Sequence, residues 1–320
     1  MSSCIDLMDF NHVTTLILGG RGLIGSACHR KYPKALAPSR EELNLFQRDR
    51  VFAYFRKAKP RHVILAAGMV GGIEYNRTFP ANFILNNLKI QLNVFEAAEA
   101  AQVERLIFFG SSCIYPKNAP QPMKESYFLT GVPELTSLSY SIAKIAGVQM
   151  ARAMNEQSQT NRFVVLIPNT VYGPNDDFNP KTAHVVSSML VKFHQAKERK
   201  EKTVSLWGTG NPKREFVYVD DVVAGVDLAF RLASVPIPLN LGSGEEISMR
   251  DLAVLIARVV GFQGECHWES NKPDGALQKL LDSSNAFSLG FRPFTTLQEG
   301  LSKTYASYLS KLRTEDLVMK

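Results

Sequence analysis

The stretch VTTLILGGRGLIGSACHRKY at residues 13–32 constrains the fold more than any other part of the chain. A short apolar, β-branched run stops at glycines and passes directly into a segment of helical character, which reads as strand, tight turn and helix. The alternation then repeats. LAPSREELNL opens like a strand, RDRVFAYFRKAKP reads as a helix, HVILAAG as a strand, PANFILNNLKIQLNVFEAAEAAQ as a long helix and RLIFFGSS as a strand. A helix through SIAKIAGVQMARAMNEQ and a strand at FVVLIPN continue the series. Strands separated by helices form a parallel sheet covered on both faces, an α/β fold of the Rossmann-type, doubly wound class.

After Tyr172 the order loosens, and Pro and Gly punctuate YGPNDDFNP, WGTGNPKREF, VPIPLNLGSG and NKPDG. This predicts a Rossmann domain over residues 1–174 and a smaller, loop-rich α/β substrate domain over 175–320. DDVVAGVDLAFRLA reads as a helix that returns the chain to the first domain near 215–240. No internal repeat or low-complexity linker separates the halves, so the cleft between them is the expected site.

Gly19, Gly22 and Gly25 stand in G-x-x-G-x-x-G spacing at the first strand-to-helix turn. Glycines there let the backbone approach a diphosphate closely, and the helix N-terminus offers unpaired N–H groups to its charge. Dinucleotide binding follows from that context. An NAD site commonly places an acidic residue after the second strand, but here the segment reads Ala37-Pro38-Ser39-Arg40. Arg40 pairs with a 2′-phosphate, and Arg21 inside the turn supplies a second cation, which favours NADP(H). Glu41 or Glu42 swinging in would restore NAD.

The formal net charge of +7 raises the question of nucleic acid. Its lysines and arginines are spread along the chain, and the one dense run, KFHQAKERKEK at 192–202, holds a single aromatic, Phe193, rather than an interleaved series. A nucleic-acid partner is not expected. No apolar run approaches the roughly 18 residues of a membrane span, and MSSCIDLMDFNH lacks the pattern of a signal peptide. Cys4, Cys28, Cys113 and Cys266 are scattered without CxxC spacing, so neither a metal site nor a dithiol centre is expected. No membrane partner and a cytoplasmic location are the resulting expectations.

Tyr140 and Lys144 lie four residues apart, one turn along a predicted helix, so phenol and ammonium share a face. A nearby cation lowers a phenol's pKa and suits it to proton exchange when an alcohol is made or consumed. With the glycine turn and with Ser111 ending an intervening strand, the order resembles the extended short-chain dehydrogenases/reductases. In an extended GSSCIYP, Ser111 and Cys113 would point the same way, a hydroxyl and a thiol toward one ligand.

Longer strings narrow the resemblance: GGRGLIGSA, VGGIEYN, GSSCIYPKNAPQP, YSIAKIAG, NTVYGPNDDFNPKTAHV, LWGTGNPKREFVYVDD and KPDGALQKLLD. Over nearly its whole length the chain resembles the GDP-L-fucose synthase family. The resemblance implies an NADPH-dependent 3,5-epimerase/4-reductase acting on a GDP-4-keto-6-deoxy sugar. It implies that Ser111, Tyr140 and Lys144 form the reductase triad, with Lys144 also holding the cofactor, and that Cys113 and His184 are the acid–base pair of epimerisation. Lys192, Trp207, Arg214 and Lys279 would contact the GDP-sugar, and the oligomer would be a homodimer. Met69 stands where a lysine usually precedes VGG, Leu277-Gln278 replaces the usual Pro-Arg, and SLSY is a plainer entry to the Tyr–Lys helix. These departures keep three other readings open: a reductase alone, an epimerase alone, each on a related GDP-4-keto sugar such as a heptose, and a non-catalytic NADP sensor. SSC in place of an Asp-Glu pair disfavours a 4,6-dehydratase.

Overall fold

The computed structural model describes residues 14–179, 182–272 and 274–318. It begins with β1 (Thr15–Leu18), α1 (Leu23–Lys31), α2 (Arg48–Ala58), β2 (His62–Leu65), α3 (Ile73–Thr78), α4 (Pro80–Ala100) and β3 (Arg105–Phe109). A 3-10 turn at Ser112–Ile114 precedes α5 (Leu138–Ser158), β4 (Phe163–Pro168) and β5 (Thr170–Tyr172). Then come α6 (Val185–Glu198), β6 (Thr203–Trp207), β7 (Lys213–Tyr218), α7 (Val219–Arg231), β8 (Leu239–Leu241) and β9 (Glu246–Ser248). The chain closes with α8 (Met249–Val260), β10 (Glu265–Glu269), β11 (Gln278–Lys279), α9 (Ser284–Ser288) and α10 (Leu297–Val318).

Five strands form one parallel sheet in the order β1-β2-β3-β4-β8. Their runs TLIL, HVIL, RLIFF and FVVLIP are buried throughout, as a sheet covered on both faces demands. Side chains alternate between two cores. Leu16, Val63, Leu106, Phe108 and Val165 face Val51, Phe55, Phe95 and Val148 of α2, α4 and α5, whereas Ile17, Ile64, Ile107 and Val164 face Ala27 and Cys28 of α1 and Val222 and Val226 of α7.

The strand expected at LAPSREELNL shrinks to a single bridge, Leu36 to Leu16, held by Ile17 N–H to Leu36 O (2.7 Å) and Leu36 N–H to Thr15 O (2.8 Å). Pro33 and Pro38 bracket it, and neither can donate to a ladder.

α7 lies against α1, where Arg30 Nη2 is 2.9 Å from Asp220 and the Tyr32 hydroxyl donates to Asp227 at 3.3 Å, and β8 extends the parallel sheet beside β4. The remaining strands make two smaller sheets. β11-β7-β5 run parallel with β9 antiparallel to β7, and β6 pairs with β10. Among the described residues no helix is long and apolar enough to cross a membrane.

Candidate active site

The glycine turn makes a cradle that side chains would fill. Gly19 has φ +90°, and a Cβ there would lie 2.6 Å from Ala67 N; a Cβ on Gly25 would lie 2.0 Å from Gly19 O. Both positions therefore require glycine, one for a left-handed backbone against the end of β2, the other to seat α1 on the turn. Gly22 is the N-cap of α1, where no side chain caps the helix. The amide end of α1 is thus presented to the cleft, suited to a diphosphate.

That cleft has a volume of about 760 Å³. Arg21, Arg40 and Lys89 bring positive charge to its lining, and Phe46, Ala67 and Met69 bring apolar surface. Arg40 lies 5.5 Å from the Phe46 ring centroid. The two glutamates that could have served an NAD ribose are otherwise engaged: Glu42 accepts from Ser39 N (2.7 Å), and Glu41 stands 3.9 Å from exposed Arg21. Asn87, which sequence reading passed over, joins the cleft to α4. Its side chain accepts from Met69 N (3.0 Å) and donates to Met69 O (3.0 Å) and Phe83 O (2.7 Å). A buried asparagine among the apolar face residues Phe83, Ile90 and Val94 was the available signal.

The first turns of α5 carry Tyr140 and Lys144 into the crevice at the C-terminal ends of the strands. Lys144 is buried; its ammonium donates to Phe109 O (2.7 Å), lies 4.7 Å from the Phe108 ring centroid and 5.7 Å from that of Tyr140. A Cβ on Gly68 would sit 3.8 Å from Lys144 Nζ, so the ammonium borders the cofactor cleft. Burial pushes Lys144 down to about 8, partly opposed by Cys113. Tyr140 does not follow the expectation of a lowered phenol. Burial and the charge of Cys113 push it upward, against a hydrogen bond with Ser111. The Lys144 ammonium donates to Phe109 O instead, and desolvation of the buried phenolate is the largest cause of the rise.

The Lys144 shift has a measurable consequence. Between pH 8 and its ordinary 10.5 the folded chain holds fewer protons at this position than the unfolded chain, so stability rises with pH through that window and carries the full penalty below it. Lys144→Met is expected to stabilise the fold at pH 7 by roughly 1–2 kcal/mol, net of the lost bond to Phe109, while abolishing the wild type's rise toward alkaline pH. Urea denaturation of both proteins at pH 7 and 9.5 checks this; equal stability of the wild type at the two pH values would overturn it.

Ser111 and Cys113 converge by a route other than extended alternation. Ser111 caps the 3-10 turn, its hydroxyl accepting from Cys113 N at 3.4 Å, a side-chain-to-backbone bond that competes with a strand. Cys113 is half-buried and interacts electrostatically with Tyr140, Lys144 and Lys279. Lys279 lies opposite Arg214 in the β11–β7 pairing, and burial lowers both cations. Asp274 accepts from Thr209 N (2.6 Å) and Thr209 Oγ1 (2.8 Å), which stitches the loop after β6, the strand that ends at Trp207, to the loop before β11, the strand that ends at Lys279. Trp207 is 66% exposed with the Lys272 ammonium 5.6 Å from its ring centroid, open enough to stack on a planar ligand. Lys192 is exposed on α6, two turns beyond His184.

His184 is the half-buried N-cap of α6. Ala183 O would lie 4.0 Å from a Cβ on Gly72, so the VGG loop abuts this segment. Sequence reading missed the acid beside His184. Asp176 is buried and accepts from Ser187 Oγ, one turn along α6 from His184, and from Asp177 N (2.8 Å); burial raises its pKa and the histidine counteracts that. Of the departing residues, Met69 lines the cofactor cleft, Leu277 is 75% exposed, and Gln278 donates to Glu246 at 2.7 Å. Among the described residues no three His, Cys, Asp or Glu side chains gather as metal ligands.

Residues 15–242 match the NAD dependent epimerase/dehydratase family. The chain is 43% identical over 318 residues to GDP-L-fucose synthase 1 of Arabidopsis thaliana, covering 98% of each chain. It is 39% identical over 307 residues to GDP-L-fucose synthase of Escherichia coli K12, covering 92% of this chain and 95% of that one. Its fold superposes on a GDP-mannoheptose C4 reductase from Campylobacter jejuni with NADP bound, with a TM-score of 0.82 and 31% identity, over 92% of this chain and 98% of that one.

Proposed function

The chain belongs to the NAD dependent epimerase/dehydratase family and, within it, to the GDP-L-fucose synthase family, and from that premise we propose that it is an NADPH-dependent 3,5-epimerase/4-reductase of a GDP-4-keto-6-deoxy sugar. The observation that carries this reading is the meeting of Ser111, Tyr140 and Lys144 with the Cys113 thiol and the Lys279 ammonium at one end of the sheet. In this reading residues 1–174, with the returning segment near 215–240, hold the cofactor, and the rest of 175–320 holds the sugar nucleotide.

NADPH supplies the hydride for C4 when bound. The protein's own groups do the rest. A ketone at C4 acidifies the hydrogens on C3 and C5. Cys113, as thiolate, removes one, leaving an enolate whose oxygen accepts hydrogen bonds from Ser111 and Tyr140. His184, oriented by Asp176, returns a proton to the other face, and configuration inverts. Tyr140 then gives its proton to the C4 oxygen as the alcohol forms. Lys144 keeps the phenol and the nicotinamide ribose in register. Arg214 and Lys279 receive the diphosphate, and Trp207 and Lys192 border the nucleotide.

The deciding experiment is product analysis by NMR and mass spectrometry after incubation with GDP-4-keto-6-deoxymannose in D₂O, with and without NADPH. Deuterium at C3 and C5 without NADPH, and reduction at C4 with it, are expected. No exchange with intact reduction would leave a reductase alone. That second reading, on a GDP-heptose, is favoured by the likeness to the heptose C4 reductase and by Met69 in the cleft.

The cleft chemistry also supports a strong preference for NADPH over NADH. Arg40→Ala is expected to raise the KM for NADPH roughly ten- to a hundredfold, equivalent to the ~1.5–3 kcal/mol typical of a hydrogen bond to a charged group, with little change for NADH. Equal losses with both cofactors would place Arg40 outside the 2′-phosphate site.

We place a homodimer interface on α4 and α5. Leu85 and Leu92, seven residues apart on α4, are 52% and 47% exposed, and Ile142 on α5 is 41% exposed, an apolar stripe that a second copy would cover. Sedimentation at the mass of a single chain would overturn this. A cytoplasmic location accords with free thiols at Cys28, Cys113 and Cys266.

A further inference from the structure

Glu215 is fully buried, yet it sits next to Arg214 on β7 with no cation hydrogen-bonded to its carboxylate in the contacts described. An ion in that position persists only where its surroundings are built around it. Here every donor is an N–H group. Oε1 accepts from Gly244 N at 2.9 Å, and Oε2 accepts from Leu281 N at 3.1 Å and from the Asn169 side-chain amide. A Cβ on Gly242 would lie 2.3 Å from Oε1, so the backbone after β8 closes directly on the carboxylate.

Asn169 carries the connection onward. Its amide also donates to Lys279 O at 3.3 Å, and its Oδ1 accepts from Ser112 Oγ at 3.2 Å. Ser112 is the residue between Ser111 and Cys113. One amide therefore touches both the turn that aims the thiol and the strand that carries Lys279, and Glu215 holds that amide in place. We infer that Glu215, acting through Asn169, is a positioning residue that fixes the Cys113 turn and Lys279 relative to each other across the join between the cofactor and substrate halves.

The chemistry of the pocket makes the charge necessary. Burial pushes the Glu215 carboxyl upward, and N–H groups of Asn169, Leu281, Gly244 and Ser243 oppose that; ionised, it is acceptor-only and matches them all. Glutamine at this position keeps the shape but must turn an NH₂ toward Gly244 N, or toward Leu281 N and the Asn169 amide. Donor then faces donor, and β11 moves away. A displacement of about 1 Å in a reacting group can cost a hundredfold in rate. A simple packing role would instead lower stability and leave the folded enzyme's chemistry unchanged.

This inference rests on the proposed roles of Cys113 in proton abstraction and Lys279 in binding the sugar nucleotide. Its test uses the full-length enzyme and the variants Glu215→Gln and Ser112→Ala, with three readouts: deuterium uptake into GDP-4-keto-6-deoxymannose without NADPH, the KM for that substrate, and the dissociation constant for NADPH. Glu215→Gln should lower uptake roughly tenfold or more and raise KM several-fold, with NADPH affinity held within about twofold. Ser112→Ala removes only the bond to Asn169 and should lower uptake by about three- to tenfold at unchanged KM, since Lys279 remains tied. Uptake per folded molecule within about twofold of wild type in Ser112→Ala overturns the link to Cys113, and it does so even where Glu215→Gln fails to fold. Unchanged uptake and KM in Glu215→Gln overturns the role of the carboxylate. A wild-type enzyme that neither exchanges nor reduces this substrate would instead overturn the functional reading on which the inference stands.

Discussion

In Cys113→Ala, uptake of solvent deuterium at C3 and C5 of the 4-keto sugar falls by about a hundred- to ten-thousandfold, the range that a positioned acid or base contributes. Whatever ketone the variant still reduces keeps its original configuration at both carbons. The reason lies in what surrounds the thiol. In the proposed mechanism Ser111 and Tyr140 bind the C4 oxygen, so the enolate would still be stabilised, but the base that removes the proton would be gone. The Lys279 ammonium, buried nearby, interacts electrostatically with Cys113. Alanine keeps the small side chain that the half-buried turn accepts, and the Ser111 cap to residue 113 uses a backbone amide, so the turn survives. Exchange at the wild-type rate in this variant would remove Cys113 from the reaction altogether. Cys113→Ser is a useful companion, because a hydroxyl retains the size but not the acidity, and its loss should be nearly as large.

Tyr140→Phe is expected to cut NADPH oxidation in the presence of substrate by about a hundred- to ten-thousandfold. It should leave NADPH affinity and the melting temperature close to wild type. The ring remains, and with it the edge-to-face contact of Tyr140 with Phe83 at 6.0 Å between centroids. What disappears is the proton source for the C4 oxygen. Deuterium uptake should fall less than reduction, because Ser111 still donates to the enolate oxygen. The two substitutions therefore dissociate the half-reactions in opposite senses, measured by NMR for one and by loss of NADPH absorbance for the other. Full NADPH turnover in Tyr140→Phe would make the Tyr140–Lys144 pair structural.

The parts of this molecule legible in its sequence are those whose cause is local. Four-residue apolar runs between helices announce a parallel sheet, and Gly19 and Gly25 announce a turn in which a Cβ would collide with backbone. The failures share a physical origin as well. The segment around Leu36 looks like a strand by its residues, but Pro33 and Pro38 leave it a single bridge. Ser111 and Cys113 were expected to share a face of extended chain, and it is a serine cap that brings them to one site. The Tyr140 phenol moves upward because burial, invisible in a four-residue spacing, outweighs the cation beside it. Asp176, Asn169 and Glu215 were overlooked because the partners that tie them into the site are 11 to 110 residues away. Roles for His184, Lys192 and Trp207 came from likeness to relatives, since a lone histidine, lysine or tryptophan has no local signature.

The return of the chain through α7 and β8 bears on how such a protein can change over generations. Asn240, at the centre of β8, donates to Met123 O and Asp282 O at 3.0 Å each and accepts from the Tyr115 hydroxyl at 2.6 Å, so three distant stretches of chain meet at one side chain. A cut after residue 174 would strip the last strand from the parallel sheet and leave β4 with a bare edge. A single crossover after residue 174 therefore carries β8 of the parallel sheet along with the C-terminal segment. Substitution in place, in contrast, changes the C-terminal segment while leaving the shared sheet whole.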